Sequence, residues 1–172
     1  DPAKLTPREV ELLGGTIAGA LLTAKSKTAA IACDFTAGNC TAGMTAALIA
    51  SGLRLRCYTF HAYKTRKKEA AASIEAVTIL TPDHKAAGRE YARFNALAEG
   101  VHMARDLVNE PPNHLYPESF AGRVKALAKH GVKVEILTPA QMRRLGMGER
   151  SLRLRTDRFR HPVPPGTQLP LL

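Results

Sequence analysis

The first 22 residues carry a helical pattern of apolar positions. Apolar side chains recur three or four residues apart, at Val10, Leu13, Ile17 and Leu21. The segment Thr6-Pro7-Arg8-Glu9 precedes this pattern, and it has the order of a capping box, in which a Thr6 hydroxyl and a Glu9 carboxylate each accept a backbone N–H. We therefore predict a helix that begins after Thr6 and runs through Leu22.

Two short apolar runs predict buried strands. The first lies within Lys27–Phe35, and the second is the β-branched run Ile74–Leu80. Runs of this kind are typical of parallel strands that are covered on both faces. Between them, Thr41–Ser51 is helix-like, and Gly52 is suited to end that helix in a left-handed conformation. Leu53–Phe60 alternates in polarity, which predicts either a strand or an extended loop.

A long apolar face predicts a helix from about Lys85 to Val108. Its members are Tyr91, Phe94, Leu97, Ala98, Val101, Ala104 and Val108. Thr81-Pro82-Asp83 is a typical helix start. The prolines in Asn109–Asn113 must stop the helix, since proline lacks the backbone donor and clashes with the preceding turn. We expect the domain boundary at this segment.

The following residues repeat a helix, strand, helix order. Pro117–Lys129 has one apolar face and closes with Gly131, Val132–Ile136 alternates as a strand does, and Thr138 caps a short helix that reaches Leu145. Alternation of helices and strands predicts an α/β fold with parallel strands. The order of the strands cannot be derived from this pattern.

The pattern ends after Gly148, where arginine and proline dominate. The chain has a formal net charge of +10, and residues 143–160 hold seven arginines against two acidic residues. Four of the last twelve residues are prolines, so we expect residues 149–172 to be a disordered tail. Such a basic segment could bind nucleic acid without sequence preference, but stacking aromatics are scarce around it, which favours incidental charge.

The cysteine and hydropathy patterns predict the redox state and the cellular location of the protein. Cys33, Cys40 and Cys57 are odd in number and contain no C-x-x-C pair, which argues against a disulfide framework and a zinc knuckle. No stretch approaches the ~20 apolar residues that a membrane-spanning helix needs. We expect reduced thiols, a cytoplasmic location and no membrane contact.

Neither the histidines nor the glycines form a recognisable binding motif. The histidines stand at positions 61, 84, 102, 114, 130 and 161, without H-x-x-x-H or H-E-x-x-H spacing. We expect them on the surface or at helix caps. Gly14, Gly15 and Gly19 lack the order of a phosphate-binding loop, so close packing between helices is the favoured interpretation. Lys64–Lys68 is interpreted as a solvated basic loop.

Three segments are similar to the leucyl aminopeptidase (cytosol aminopeptidase) family. They are Gly52–Phe60 (GLRLRCYTF), Tyr63–Thr65 (YKT) and Ala104–Asn113 (ARDLVNEPPN), and the last is the most specific. The similarity continues to Leu145–Gly148 and covers about residues 5 to 148. At one position the chain departs from the family, because His61 stands where an aspartate is common.

The resemblance implies an architecture for the chain. Residues 1–84 would be the later part of a macro-domain-like, three-layer N-terminal domain, and 85–108 the helix that links it to the catalytic domain. Residues 109–148 would be the first helix, strand and helix of the catalytic domain. Residues 149–172 would be a tail that is disordered or read in another frame, since the composition changes abruptly there.

The resemblance also implies a chemistry that this chain does not carry. Family members are metalloproteases, usually hexamers, that release N-terminal residues from peptides with two divalent ions such as zinc or manganese. Their K-G-x-x-F-D-x-G-G and N-T-D-A-E-G-R segments do not occur in the 172 residues. Asp106 and Glu110 lie four residues apart at a helix end, but the family's lysine and aspartate set does not surround them.

We therefore predict no catalytic, metal-binding or cofactor-binding residue in this chain, and no peptidase activity from the chain alone. The other hypothesis is a binding module, which would hold nucleic acid through its basic segments or associate with an aminopeptidase subunit. Exposed apolar surface could also make the chain oligomerise.

Overall fold

A computed structural model of the protein describes residues 1–63 and 74–147. The predicted basic loop at 64–68 and the predicted tail at 149–172 lie outside the described residues. The chain divides into two compact units, one formed by Asp1–Pro111 and the other beginning at Pro112.

In the described part of the first unit, a 3-10 turn at Pro2–Lys4 precedes three α-helices and two strands, in the order α1 (Pro7–Thr23), β1 (Thr28–Ala32), α2 (Ala42–Arg56), β2 (Ala76–Leu80) and α3 (His84–Asn109). Helices α1 and α3 both pack on α2. None of the helices in the described ranges is both long and apolar enough to cross a bilayer.

The start of α1 has the predicted capping box. The Glu9 amide donates to the Thr6 hydroxyl at 3.3 Å, and the Thr6 amide donates to the Glu9 carboxylate at 2.7 Å. The hydrogen bonds from the Thr6 backbone and side chain lower the pKa of Glu9. Both interactions satisfy donors that a helix start would otherwise leave unpaired, which confirms the predicted start.

The two strands pair in parallel, with Ala29 opposite Val77 and Ile31 opposite Ile79. This pairing confirms the predicted α/β class with parallel strands. The prediction that both faces of these strands are buried was wrong, because half-buried and exposed residues alternate along each strand. One face, with Ile31 and Ile79, packs on the core, while no element of the described residues covers the other face.

Helix α2 is longer than its sequence predicted. Gly52 was expected to end it, but the helix continues to Arg56, so the predicted strand or loop at Leu53–Phe60 begins as helix. Contact with α1 explains the glycine itself, because a methyl group on Gly52 would lie 1.9 Å from the Glu11 carbonyl oxygen. Gly52 therefore serves close helix packing, and its turn-forming capacity is not used.

Helix α3 confirms the long predicted helix, capped by a hydrogen bond of 3.0 Å from the Ala86 amide to the Asp83 carboxylate. Its predicted apolar face is only partly packed. Ala98 is 1% exposed, whereas Leu97 is 64% and Val108 is 85% exposed. The face that meets α2 is thus narrower than the stripe of apolar residues in the sequence.

The second unit begins with α4 (Pro117–Lys125), which continues as a 3-10 helix to His130 and ends at Gly131 with φ +83°. A second short helix, α5 (Pro139–Arg144), starts with a capping box. The strand predicted at Val132–Ile136 was wrong: no strand is assigned there. Alternating residues form a strand only when a neighbouring strand is present to pair with, and the described part of this unit has none.

Candidate functional site

The richest group of polar contacts lies where the loop after α2 meets the end of α3. The Tyr58 hydroxyl donates to an Asp106 carboxylate oxygen at 2.7 Å, and the Asn109 amide donates to the Tyr58 oxygen at 3.2 Å. One turn further along, the Tyr63 hydroxyl donates to the Glu110 carboxylate. We call these five residues the tyrosine–carboxylate cluster.

Two further side chains of α3 pack on the Tyr58 ring. The His102 ring centroid lies 5.2 Å away, and the Arg105 guanidinium carbon lies 5.4 Å from the centroid of the tyrosine ring. Arg105 also donates to the Leu55 carbonyl oxygen at 3.0 Å. A cation over an aromatic face and a hydrogen bond to the last turn of α2 both fasten α3 to α2.

The electrostatics of the cluster keep its tyrosine protonated. Desolvation and the hydrogen bond to Asp106 raise the pKa of Tyr58, outweighing the Asn109 amide and Arg105, which lower it. The phenol is therefore a hydrogen-bond donor at neutral pH and is not activated as a nucleophile or a base.

His102 is likewise held in its neutral form. Desolvation lowers its pKa most, and the neighbouring Arg54 and Arg105 lower it further, against a smaller opposing effect of Asp106. Its Nε2 atom is buried and has no hydrogen-bond partner among the described residues. A half-buried ring beside two cations is suited to packing, and it is a poor site for a proton.

The cluster brings together the segments on which the family resemblance rests. Tyr58 and Tyr63 come from the first two segments, and Asp106, Asn109 and Glu110 from the third. The sequence drew attention to Asp106 and Glu110 by their spacing of four, but it did not indicate their tyrosine partners. Contacts between residues far apart in the sequence leave no local pattern. The sequence signal for this cluster was that all three family-like segments occur in one chain.

The described residues do not suit a two-metal centre. Within residues 1–63 and 74–147, no group of three or more His, Cys, Asp or Glu side chains could hold a metal ion. Asp106 and Glu110 each accept a tyrosine hydroxyl. Burial raises the pKa values of the Cys33 and Cys57 thiols, which disfavours the thiolate that a metal requires.

The histidines, for which the sequence predicted no binding motif, lie in separate places. His84 opens α3, His102 lies against Tyr58, and His130 ends the 3-10 turn after α4. His61 lies in the loop after α2 and His114 lies between α3 and α4. His161 lies outside the described residues.

Two solved structures are similar to this chain in fold. The bottromycin maturation enzyme BotP in complex with Mn superposes with a TM-score of 0.65 and 26% identity, over 84% of this chain and 30% of that one. A point mutant of tomato leucine aminopeptidase superposes with a TM-score of 0.62, over 85% of this chain and 30% of that one, and at 23% identity it supports the fold alone.

Sequence comparisons identify the family. A family model described as the N-terminal domain of the cytosol aminopeptidase family matches residues 1–67, and one for the catalytic domain of the same family matches residues 102–151. The chain therefore belongs to the cytosol aminopeptidase family, which confirms the resemblance seen in the sequence.

Individual relatives agree. A probable cytosol aminopeptidase of Methylobacterium radiotolerans is 50% identical over 124 residues, which are 71% of this chain and 24% of the relative. One of Rhodopseudomonas palustris is 45% identical over 148 residues, which are 86% of this chain and 29% of the relative. The chain thus spans about a quarter of the length of these relatives.

Proposed function

We propose that this chain provides the part of a cytosol aminopeptidase that fastens the linking helix to the N-terminal domain, and that the 172 residues alone do not hydrolyse peptides. In this proposal residues 1–84 belong to the N-terminal domain, 85–108 form the linking helix and 109–148 open the catalytic domain. The observation that carries it is the tyrosine–carboxylate cluster, in which segments typical of the family hold each other.

The chemistry of the cluster supports a positioning role. Tyr58 is a protonated donor, and Asp106 and Glu110 act as hydrogen-bond acceptors for tyrosine hydroxyls. Two-metal hydrolysis needs several carboxylates around ions about 3.5–4 Å apart, so that bound water ionises near neutral pH. The described residues offer no such group of ligands, and the two motif segments of the family's catalytic site do not occur in the chain.

A longer polypeptide that joins this part to those catalytic segments would be a metal-dependent aminopeptidase. We infer that it would release N-terminal residues from peptides, with manganese or zinc bound by residues outside this chain. The relatives are named probable cytosol aminopeptidases, and BotP was solved with Mn, which supports both the metal and a cytoplasmic location. Assembly into a homo-oligomer, as in the family, belongs to the same proposal.

An activity assay tests directly whether the chain alone lacks peptidase activity. The purified 172-residue chain is incubated with leucyl p-nitroanilide and manganese, beside the complete Rhodopseudomonas palustris relative as positive control. We expect release of nitroaniline by the relative, and a rate for this chain equal to its metal-free control. Manganese-dependent release by the chain that persists after a second purification step would refute the proposal.

A binding module is the second candidate, and the observation in its favour is the net charge of +10, half of which lies in residues 143–160. Titration of labelled DNA at two salt concentrations separates the two candidates. Phosphate binding weakens steeply with salt, so tight, salt-sensitive binding would support a nucleic-acid partner. Absence of binding at low salt would leave the aminopeptidase role.

A further inference from the structure

One histidine lies within the contact between α3 and α2. His102 belongs to α3, its ring is half-buried, and the ring centroid lies 5.2 Å from that of Tyr58. The Nε2 atom of His102 is buried and has no hydrogen-bond partner among the described residues. Both ring nitrogens of a protonated histidine are donors. Protonation would therefore leave a charged N–H at Nε2 with neither water nor an acceptor, which is costly.

The charges that face this ring are mainly positive. Desolvation lowers the pKa of His102 most, and the guanidiniums of Arg54 on α2 and Arg105 on α3 lower it further. Asp106 and a hydrogen bond to the Arg54 backbone have the opposite effect, but the pKa is lowered overall. The Asp106 carboxylate already accepts the Tyr58 hydroxyl at 2.7 Å. The contact between α3 and α2 therefore favours a neutral imidazole.

The contact between α1 and α2 has no comparable group, because neither helix contains a histidine. The two helices approach each other closely at Gly14 and Gly52, and the Ser51 hydroxyl donates to the Glu11 carboxylate at 2.6 Å. A proton taken up by His102 therefore acts on the contact of α3 with α2 and leaves the packing of α1 on α2 in place.

We propose that protonation of His102 releases α3 from α2 at mildly acidic pH, so that the attachment of the linking helix is regulated by pH. This inference rests on the proposed function, in which α3 links the two domains. In the released state water surrounds the imidazolium, and the two guanidiniums move away from it. Release should begin as the pH falls below about 6.5, the ordinary pKa of histidine, because the released state binds the proton there and the closed state does not.

Hydrogen exchange of the backbone amides, measured segment by segment by mass spectrometry, tests the release. The purified chain is labelled at pH 7.5 and at pH 5.5, and the rates are corrected for the intrinsic effect of pH on exchange. We expect the protection of α3 to fall by up to about tenfold at pH 5.5, since uptake of one proton shifts an equilibrium by at most tenfold per pH unit. Helix α1 should keep its protection. Equal protection of α3 at both pH values, or an equal loss in α1, would overturn the proposal.

Two matched variants identify the titrating group. His102→Gln removes the ring that faces the guanidiniums, whereas His84→Gln removes an exposed histidine at the start of the same helix. We expect α3 to be equally protected at both pH values in His102→Gln, and to keep the tenfold change in His84→Gln. Circular dichroism melting verifies the fold of each variant. A pH response that persists in folded His102→Gln would show that another group titrates, against the proposal.

A third variant keeps the assignment testable if His102→Gln fails to fold. Arg54→Gln removes one of the two guanidiniums that face the ring, so the pKa of His102 in the closed state should lie closer to its ordinary value. The protection of α3 should then change less between pH 7.5 and pH 5.5 than it does in the native chain. An equal or larger change in the folded Arg54→Gln variant would contradict the proposal.

Tyr58→Phe separates a failure of this inference from a failure of the proposed function. If the tyrosine–carboxylate cluster fastens α3, loss of the hydroxyl should lower the protection of α3 at pH 7.5 by roughly fivefold. No loss in this variant would contradict the proposed function. A loss at pH 7.5, together with no pH response of the native chain, would overturn the release by His102 alone.

Discussion

At the scale of residues, glycines set how closely α1 and α2 approach. A methyl group on Gly14 would lie 2.2 Å from the Ile49 carbonyl oxygen, and one on Gly52 would lie 1.9 Å from that of Glu11. Both neighbours are backbone atoms and cannot rotate away. The sequence predicted close helix packing for Gly14, Gly15 and Gly19, and Gly14 has that role.

Gly52→Ala should therefore destabilise the protein, although alanine is the better helix former. We expect a loss of about 1–3 kcal/mol in the free energy of unfolding, as for other overpacked cores. Gly100→Ala is the matched control, because Gly100 lies within α3 and nothing lies within 4 Å of its added methyl group. It should gain up to about 1 kcal/mol. Urea denaturation gives both values, and effects of the same sign would contradict the packing argument.

The hydrogen bond between Tyr58 and Asp106 should be measurable by a double-mutant cycle. Tyr58→Phe removes the donor and should lower the melting temperature by roughly 2–4 °C, as does the loss of one hydrogen bond in a small domain. Once Asp106 has been replaced by alanine, the same change should have much less effect. Additive effects of the two substitutions would mean that the residues are not coupled.

His102 should make stability depend on pH. Its pKa in the folded protein is lowered, so the unfolded chain binds the proton more tightly. Stability should then decrease as the pH falls below about 6.5, the ordinary value for histidine, and be regained above it. Urea denaturation between pH 5 and 8 measures the slope. His102→Gln should flatten it, and an unchanged slope would show that another group is responsible.

At the scale of elements, local signals were sufficient for most helices. The Thr6 and Thr138 capping boxes and the prolines after Asn109 are signals within a few residues, and helix ends occur where they predict. The errors concern elements defined by distant contacts. Gly52 lies inside α2, where it lets α1 pass close to the backbone. Val132–Ile136 is not a strand because nothing in the described residues pairs with it.

The tyrosine–carboxylate cluster could not be predicted from the sequence, because it too depends on contacts between distant residues. Tyr58 and Asp106 are 48 residues apart, and no local pattern links a phenol to a carboxylate at that separation. The apolar stripe of α3 predicted a wider packed face than the structure has. Apolar residues are common on protein surfaces and do not all mark a packed face.

The unequal packing of α3 gives a prediction for the element. Val108 is 85% exposed and Ala98 is 1% exposed. Val108→Ser should change the free energy of unfolding by less than about 0.5 kcal/mol, since valine and serine have similar helix propensities. Ala98→Ile should cost about 1–3 kcal/mol, because the added atoms do not fit a filled interior. Similar losses at both positions in chemical denaturation would contradict the packed face described above.

At the scale of the whole molecule, the chain has the fold of one part of a cytosol aminopeptidase. Its tyrosine–carboxylate cluster is suited to holding the end of α3 against the loop after α2. Its carboxylates at the end of α3 accept tyrosine hydroxyls, and its family models match two separate ranges. Together these observations support the proposed role in positioning.

The amount of manganese bound at equilibrium tests this claim most directly. The purified chain is dialysed against micromolar manganese, and the metal per molecule is measured by elemental analysis, beside a complete relative. We expect well below one ion per molecule for this chain, and about two for the relative if it uses the two-metal hydrolysis that the family resemblance implies. Two tightly bound ions per molecule of this chain would contradict the positioning role.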